Sequence, residues 1–151
     1  MNDTGLVWFR RDLRATDHPA LSRALRECRT IGCAFILDAP LLATLPRVDR
    51  RVEFIRESLV DLDRALRGPR SRAPRLIVRH ADAREEIPRI AAALGAGTVY
   101  AHHDDDPYAL QRDAAVRAAL ERAGRRLVTL KDHVVFERSE ILTQAGKPFS
   151  V

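Results

Sequence analysis

Gly5-Leu-Val-Trp-Phe9 is an unbroken apolar run near the start of the chain. Such a run is the pattern of a strand buried on both faces, because a half-exposed strand alternates polar and apolar residues. A polar loop follows, Arg10-Arg-Asp-Leu-Arg14. Asp17-His-Pro19 then offers a cap residue and a first-turn proline, which predicts a helix to about Glu27. Working outward, the same unit recurs. Ile31–Leu37 reads as the second strand, stopped by Asp38-Ala-Pro40. Pro46 precedes a helix over Arg47–Arg67, where Val52, Ile55, Leu59, Leu62 and Leu66 form one apolar stripe and Gly68-Pro69 supplies the end. Arg75–Arg79 is the third strand. Asp82 caps a helix with Ile87, Ile90, Ala91 and Leu94 inward, closed by Gly95-Ala-Gly97. Thr98–Ala101 is the fourth strand. Pro107 opens a helix with Leu110, Ala114, Val116 or Arg117, and Leu120 on its stripe, and Gly124 ends it. Arg126–Leu130 is the fifth strand. The segment from Asp132 to Val151 reads as loop around a short apolar patch, Val134-Val-Phe136.

Strand and helix thus alternate through five strands. This predicts an α/β fold with a five-stranded parallel sheet flanked by helices on both faces. Ligands in such sheets bind at the carboxyl ends of the strands. Four loops lie there: Arg10–Arg14, Asp38–Pro46, His80–Asp82 and His102–Pro107.

The 151 residues fit one domain with a real core. Hydrophobic residues at 46% and charged residues at 31% are globular composition, not disordered composition. No apolar segment approaches the ~20 residues of a membrane span, and no signal peptide is visible, so a soluble cytoplasmic chain is expected. The formal net charge is +5, and all the basic residues except Lys131 and Lys147 are arginines. One reading is affinity for a polyanion such as nucleic acid. The other is a surface bias toward arginine, which the dispersal of these residues favours. Cys28 and Cys33 lack metal-ligand spacing and read as core filling.

The first loop has neither a G-x-G-x-x-G fingerprint nor a Walker lysine, which argues against a standard dinucleotide or nucleoside-triphosphate site. Its arginines either grip an anionic group or form a salt-linked turn pinned by Asp12. His102-His-Asp-Asp-Asp106 is the densest polar cluster. Adjacent residues of an extended segment point to opposite faces, so these five cannot converge on one metal ion. Asp104 and Asp106 share a face and can present acceptors to a ligand. Asp106 can also cap the helix at Pro107. His18, His80 and His133 read as isolated, with no serine or cysteine nucleophile in an elbow, so no catalytic set and no metal site are expected. Trp8 reads as core.

Leu6-Val-Trp-Phe-Arg-Arg-Asp-Leu-Arg14 followed by Asp17-His-Pro-Ala-Leu21 resembles the opening signature of the DNA photolyase/cryptochrome family. Arg51-Val-Glu-Phe-Ile55 with Ser58, Leu59 and Leu62 agrees, as do Val99-Tyr100 with Asp104-Asp-Asp-Pro-Tyr108, Arg112-Asp113, and Gly146-Lys-Pro-Phe-Ser-Val151. The resemblance covers essentially the whole chain in order. It implies a Rossmann-like three-layer α/β domain over residues 1–151 that can carry a light-harvesting antenna chromophore. It also implies a downstream helical domain, absent from this chain, that binds FAD and the UV-damaged DNA. The family reaction is light-driven electron transfer from reduced flavin, which splits a cyclobutane pyrimidine dimer. This domain alone is not expected to be catalytic. Its implied partners are its own C-terminal helical domain and, through the full-length protein, DNA, with no membrane.

The resemblance also addresses the antenna. Members that bind methenyltetrahydrofolate carry an Asn-Glu pair where this chain has Tyr108 and Ala109, which counts against folate. Deazaflavin-binding members carry an arginine matched by Arg51 and acids matched by Asp104 and Asp106, the second being usually Glu. Tyr100-Ala101 with Pro107-Tyr108 resembles a member that takes FMN. A flavin-type antenna, 8-hydroxy-5-deazaflavin or FMN, is expected, with Phe9, Arg10, Leu37 and Asp38 as the further pocket walls. A cryptochrome, a light sensor without repair activity, shares these features. A free-standing nucleotide-binding α/β protein is the third reading, and the stop at Val151 inside a family motif counts against it.

Overall fold

The computed structural model describes residues 2–46, 48–67 and 75–132. The elements run β1 (Asn2–Phe9), α1 (Pro19–Glu27), β2 (Cys28–Asp38), α2 (Ala39–Leu42), α3 (Arg50–Arg67), β3 (Leu76–Ala81), α4 (Ala83–Ala93), β4 (Thr98–His102), α5 (Pro107–Arg122) and β5 (Arg126–Leu130). The expected ends at Gly68-Pro69, the patch Val134–Phe136, His133 and the motif Gly146–Val151 lie outside the described residues.

The sheet order is β3-β2-β1-β4-β5, and every neighbouring pair is parallel. The chain therefore starts in the centre, builds outward through β2 and β3, then returns to the other side of β1 for β4 and β5. Parallel neighbours need a crossover, and the helices supply it. The register aligns Trp8 with Ala34 and Leu6 with Val99.

The central strand explains the layers. Successive side chains of β1 point to opposite faces. Leu6 and Trp8 pack with Ala34, Ile36 and Val99 against Ile87, Ile90 and Ala91 of α4 and Val116 and Leu120 of α5. Val7 and Phe9 pack with Phe35 and Tyr100 against Ala20, Leu21 and Ala24 of α1 and Leu59 and Leu62 of α3. Two cores on the two faces of one sheet make the three-layer α/β fold that the alternation predicts. Gly95 and Gly124 end α4 and α5 with φ of 65° and 69°, a conformation that only glycine adopts without cost.

Five local expectations are corrected. Leu94, expected inward on α4, is exposed. Asp17 does not cap α1: its own φ is 49°, and the cap is His18, whose Nδ1 accepts the Leu21 N–H at 3.0 Å. α3 begins at Arg50, not Arg47, because Asp49 accepts the Arg51 N–H through its carboxylate. Asp38-Ala-Pro40 does stop β2, but the chain then turns directly into the four-residue α2. On α5 the buried positions are Ala109, Arg112, Val116 and Leu120, while Leu110 is exposed. Val116 and Leu120 lie on the stripe as expected, while its first half runs through Ala109 and a buried arginine, Arg112, in place of Leu110 and Ala114.

Candidate functional site

A cavity of about 280 Å³ opens at the carboxyl edge of the sheet. That is near the lower end of small-molecule sites, ~300–1,000 Å³. β1 ends into it with Trp8 and Arg10, and β2 with Ile36, Leu37 and Asp38. Leu41 and Leu42 of α2 and Ile55 of α3 form an aliphatic wall. Asp104, Asp106, Tyr108 and Arg112 close the opposite side.

The polar groups around the cavity are held in place by one another. Arg10 Nη1 donates to both carboxylate oxygens of Asp113, and Arg10 Nη2 donates to the backbone carbonyl of His102. Its guanidinium carbon lies 4.8 Å from the centre of the Trp8 ring, and that of Arg112 lies 5.0 Å from it. Both contacts are within cation–π range. Arg112 also donates to Asp113, and its Nη1 lies 3.7 Å from Asp38. The Tyr108 hydroxyl donates to Asp38 Oδ2 at 2.8 Å, while Asp38 Oδ1 accepts the first N–H of α4, from Ala83. Burial, aided by the Asp38 carboxylate, pushes the Tyr108 phenol up to about 12. Tyr108 therefore stays a neutral donor across the physiological range. Arg11 is the exposed cation at the mouth, with its Nε 3.5 Å from Asp104.

The structure brings five of the expected site residues to this cavity: Arg10, Leu37, Asp38, Asp104 and Asp106. Asp104 and Asp106 both line the cavity, and Asp106 also caps α5 through the Tyr108 N–H. Two are placed elsewhere, which corrects the expected pocket walls. The Phe9 ring points to the opposite face of the sheet, 4.7 Å from the His18 ring, because it alternates with Trp8 along β1. Arg51 is exposed and chelates Asp49, which holds that carboxyl below its usual range. Trp8, read as core, is both core and pocket floor. Arg112, Arg11 and the α2 leucines were missed. The buried stripe of α5 could have revealed Arg112, had a charged residue been allowed on an inward face.

A second polar cluster lies on the other face. Asp12 is not pinned by arginines, and His18 is not isolated. Asp12, His18 and His102 are all buried. His18 Nε2 stands 2.7 Å from Asp12 Oδ2, and His102 Nδ1 meets the same oxygen. Burial alone would raise the Asp12 carboxyl, but the two imidazoles outweigh it and hold it far below its ordinary value. These three ligand-type atoms lie close enough together to raise the question of a metal. The hydrogen bonds argue against one. His18 Nδ1 accepts the Leu21 N–H and His102 Nε2 accepts the Ala20 N–H, each at 3.0 Å. A neutral ring that accepts at one nitrogen carries its hydrogen on the other. Both nitrogens aimed at Asp12 are therefore N–H donors, not lone pairs free for a cation.

The topology defines a doubly wound α/β domain with a cavity at the carboxyl edge of its sheet. Comparison with known proteins gives the family. The DNA photolyase family profile matches residues 5–151, and the chain belongs to that family. It is 34% identical over 146 residues to the deoxyribodipyrimidine photo-lyase of a Synechococcus strain, covering 97% of this chain and 30% of that protein. It is 33% identical to cryptochrome-2 of Gallus gallus, covering 92% of this chain and 23% of that one. It superposes with a TM-score of 0.77 and 29% identity on an archaeal photolyase from Sulfolobus tokodaii, covering 90% of this chain and 32% of that one. That structure holds two FAD molecules and is described as implying a novel light-harvesting cofactor. The chain thus spans about a third or less of the length of these relatives. It is the N-terminal α/β domain type of the photolyase/cryptochrome family.

Proposed function

We propose that this chain is the antenna-carrying domain of a deoxyribodipyrimidine photo-lyase, and that its edge cavity holds a flavin-type chromophore, 8-hydroxy-5-deazaflavin or FMN. The observation that carries this reading is the cavity itself: an aliphatic and aromatic slot between Trp8, Ile36, Leu41, Leu42 and Ile55, tipped by a few fixed polar groups. An antenna absorbs light and passes the excitation on. The protein's task is therefore to fix the ring's position and orientation, which needs rigidity and not a general acid or base. Asp38, Asp104 and Asp106 offer acceptors, and Arg10 and Arg112 stiffen the Trp8 floor by packing against its ring. Tyr108 and Ala109, where folate-binding members have Asn-Glu, favour a flavin-type ring over methenyltetrahydrofolate.

The rest of the reading concerns the full-length protein. We assign FAD and the contact with UV-damaged DNA to a C-terminal helical domain, since the relatives are about three times as long. The cellular site is the cytoplasm. Among the described residues no helix is long and apolar enough to cross a membrane. A cryptochrome is the second reading, favoured by the 33% identity to cryptochrome-2 of Gallus gallus.

Reconstitution with FMN and with 8-hydroxy-5-deazaflavin tests the antenna; binding of neither overturns it. Blue-light repair of a dimer-containing oligonucleotide by the full-length protein tests the enzyme. A flavin-loaded protein that repairs nothing is a cryptochrome.

A further inference from the structure

The Asp12 cluster has no part in the pocket's lining, yet it joins the elements that carry that lining. Asp12 Oδ1 accepts the Arg10 N–H at 3.2 Å, at the end of β1. Asp12 Oδ2 faces the N–H of His18 at the start of α1 and the N–H of His102 at the end of β4. His102 in turn caps α1 through Ala20, and its carbonyl receives Arg10. Asp132 flanks the cluster, 3.4 Å from His102 Nδ1, and binds Arg14.

We propose that Asp12 is a positioning residue for the pocket: its carboxylate locks His18 and His102 in opposite tautomers, and this lock fixes the β1–α1 loop against the β4–α5 loop, which bring Arg10, Arg11 and Asp104 to the pocket wall. The chemistry is specific to a carboxylate. One oxygen takes a backbone N–H, and the other lies against the two imidazole nitrogens that carry hydrogens, so every neighbour is a donor. An amide in either orientation sets its own NH2 against one of them. The rings cannot adjust by exchanging tautomers, because the Ala20 or Leu21 N–H would then face another N–H in a buried site. That the pocket has a ligand to position rests on the antenna reading; the lock itself does not.

Long-range 1H–15N NMR of the chain is the first test, with the hydrogen expected on Nε2 of His18 and on Nδ1 of His102. The same nitrogen protonated in both rings overturns the lock. The second test is Asp12→Asn, read through Trp8, the single tryptophan. Its emission is expected to shift, and affinity for whichever of FMN and 8-hydroxy-5-deazaflavin the unaltered chain binds is expected to fall at least about tenfold. Asp63→Asn is the control. It also strips a carboxylate from backbone donors, at Arg75 and Leu76, but lines no part of this pocket. Unchanged Trp8 emission in Asp12→Asn, or an equal change in Asp63→Asn, overturns the proposal. If Asp12→Asn does not fold, His18→Asn substitutes for it. That side chain keeps an acceptor for the Leu21 N–H while withdrawing the imidazole N–H from Asp12, and a Trp8 spectrum no different from the control overturns the proposal. Failure of the unaltered chain to bind either chromophore defeats the antenna reading alone, since the tautomers and Trp8 still decide the lock.

Discussion

The guanidinium of Arg10 closes on the carboxylate of Asp113, 103 residues away, at 2.7 and 2.6 Å. The pair is almost buried, with side-chain exposures of 8% and 14%. It ties the end of the central strand to the middle of α5, and the Trp8 ring lies beneath it.

Removing one partner of such a pair leaves the other desolvated and unpaired. Asp113→Ala should therefore cost about 3 kcal/mol, more than an exposed pair such as Arg64 with Asp61 could contribute. Urea unfolding of the two variants, Asp113→Ala and Asp61→Ala, measures the difference. Similar midpoints in both would contradict the assignment.

Acid should act through Asp12. Its folded carboxyl is depressed, so the unfolded chain binds the proton more readily. Its contribution is fully present above the ordinary carboxylate range, ~4, and declines as pH falls below that toward the folded value. Urea midpoints measured from pH 7 down to pH 3 should fall more steeply for the unaltered chain than for Asp12→Asn.

Phenol and thiol titrations probe burial without substitution. Burial pushes Tyr108 to about 12, and burial with the Cys28 and Glu27 contacts pushes Tyr100 higher still. These are the two tyrosines of the chain. Absorbance at ~295 nm should show no phenolate below about pH 11 in the native state, and ionisation near 10 in urea. Burial likewise raises the Cys33 thiol to about 12, so a disulfide reagent at pH 8 should leave Cys33 unmodified until the chain unfolds.

Two glycines should differ sharply. A Cβ at Gly5 would lie 2.6 Å from the buried Cys28 sulfur and 3.2 Å from the Tyr100 ring. A Cβ at Gly32 would crowd the Leu94 side chain at 2.5 Å and meet Leu6 at an ordinary 3.7 Å, and Leu94 is 37% exposed and can turn away. Gly5→Ala should cost about 2 kcal/mol or more, and Gly32→Ala under about 1 kcal/mol, by thermal or urea unfolding.

These contrasts show what local sequence can carry. The strands were legible because a doubly buried strand is written as a continuous apolar run, as at Gly5–Phe9. The helices were legible from stripes, caps and terminal glycines. The order of strands was not, since nothing local in β4 says that it pairs with β1. α2 escaped because four residues make no period. The cap of α1 was misplaced by one residue because Asp17 sits in a left-handed turn, its carbonyl accepting from Arg14 three residues earlier, and residue types alone do not mark such a turn. In the site, Asp38, Asp104 and Asp106 were legible as loop acids at the carboxyl edge. The Asp12–His18–His102 cluster was not, because its members lie on three separate segments and each looks unremarkable alone. Phe9 was misassigned by one step of a period-two strand, and Arg51 by analogy with relatives whose arginine occupies the matching position.

Titration of the chain with 8-hydroxy-5-deazaflavin and with FMN, followed by Trp8 emission and by the chromophore's own absorption band, tests the central claim most directly. The cavity predicts saturable one-to-one binding of at least one of them, with Trp8 emission quenched and binding lost in an Asp104→Ala, Tyr108→Ala double variant. No saturable binding of either, or binding unchanged in that variant, would contradict it.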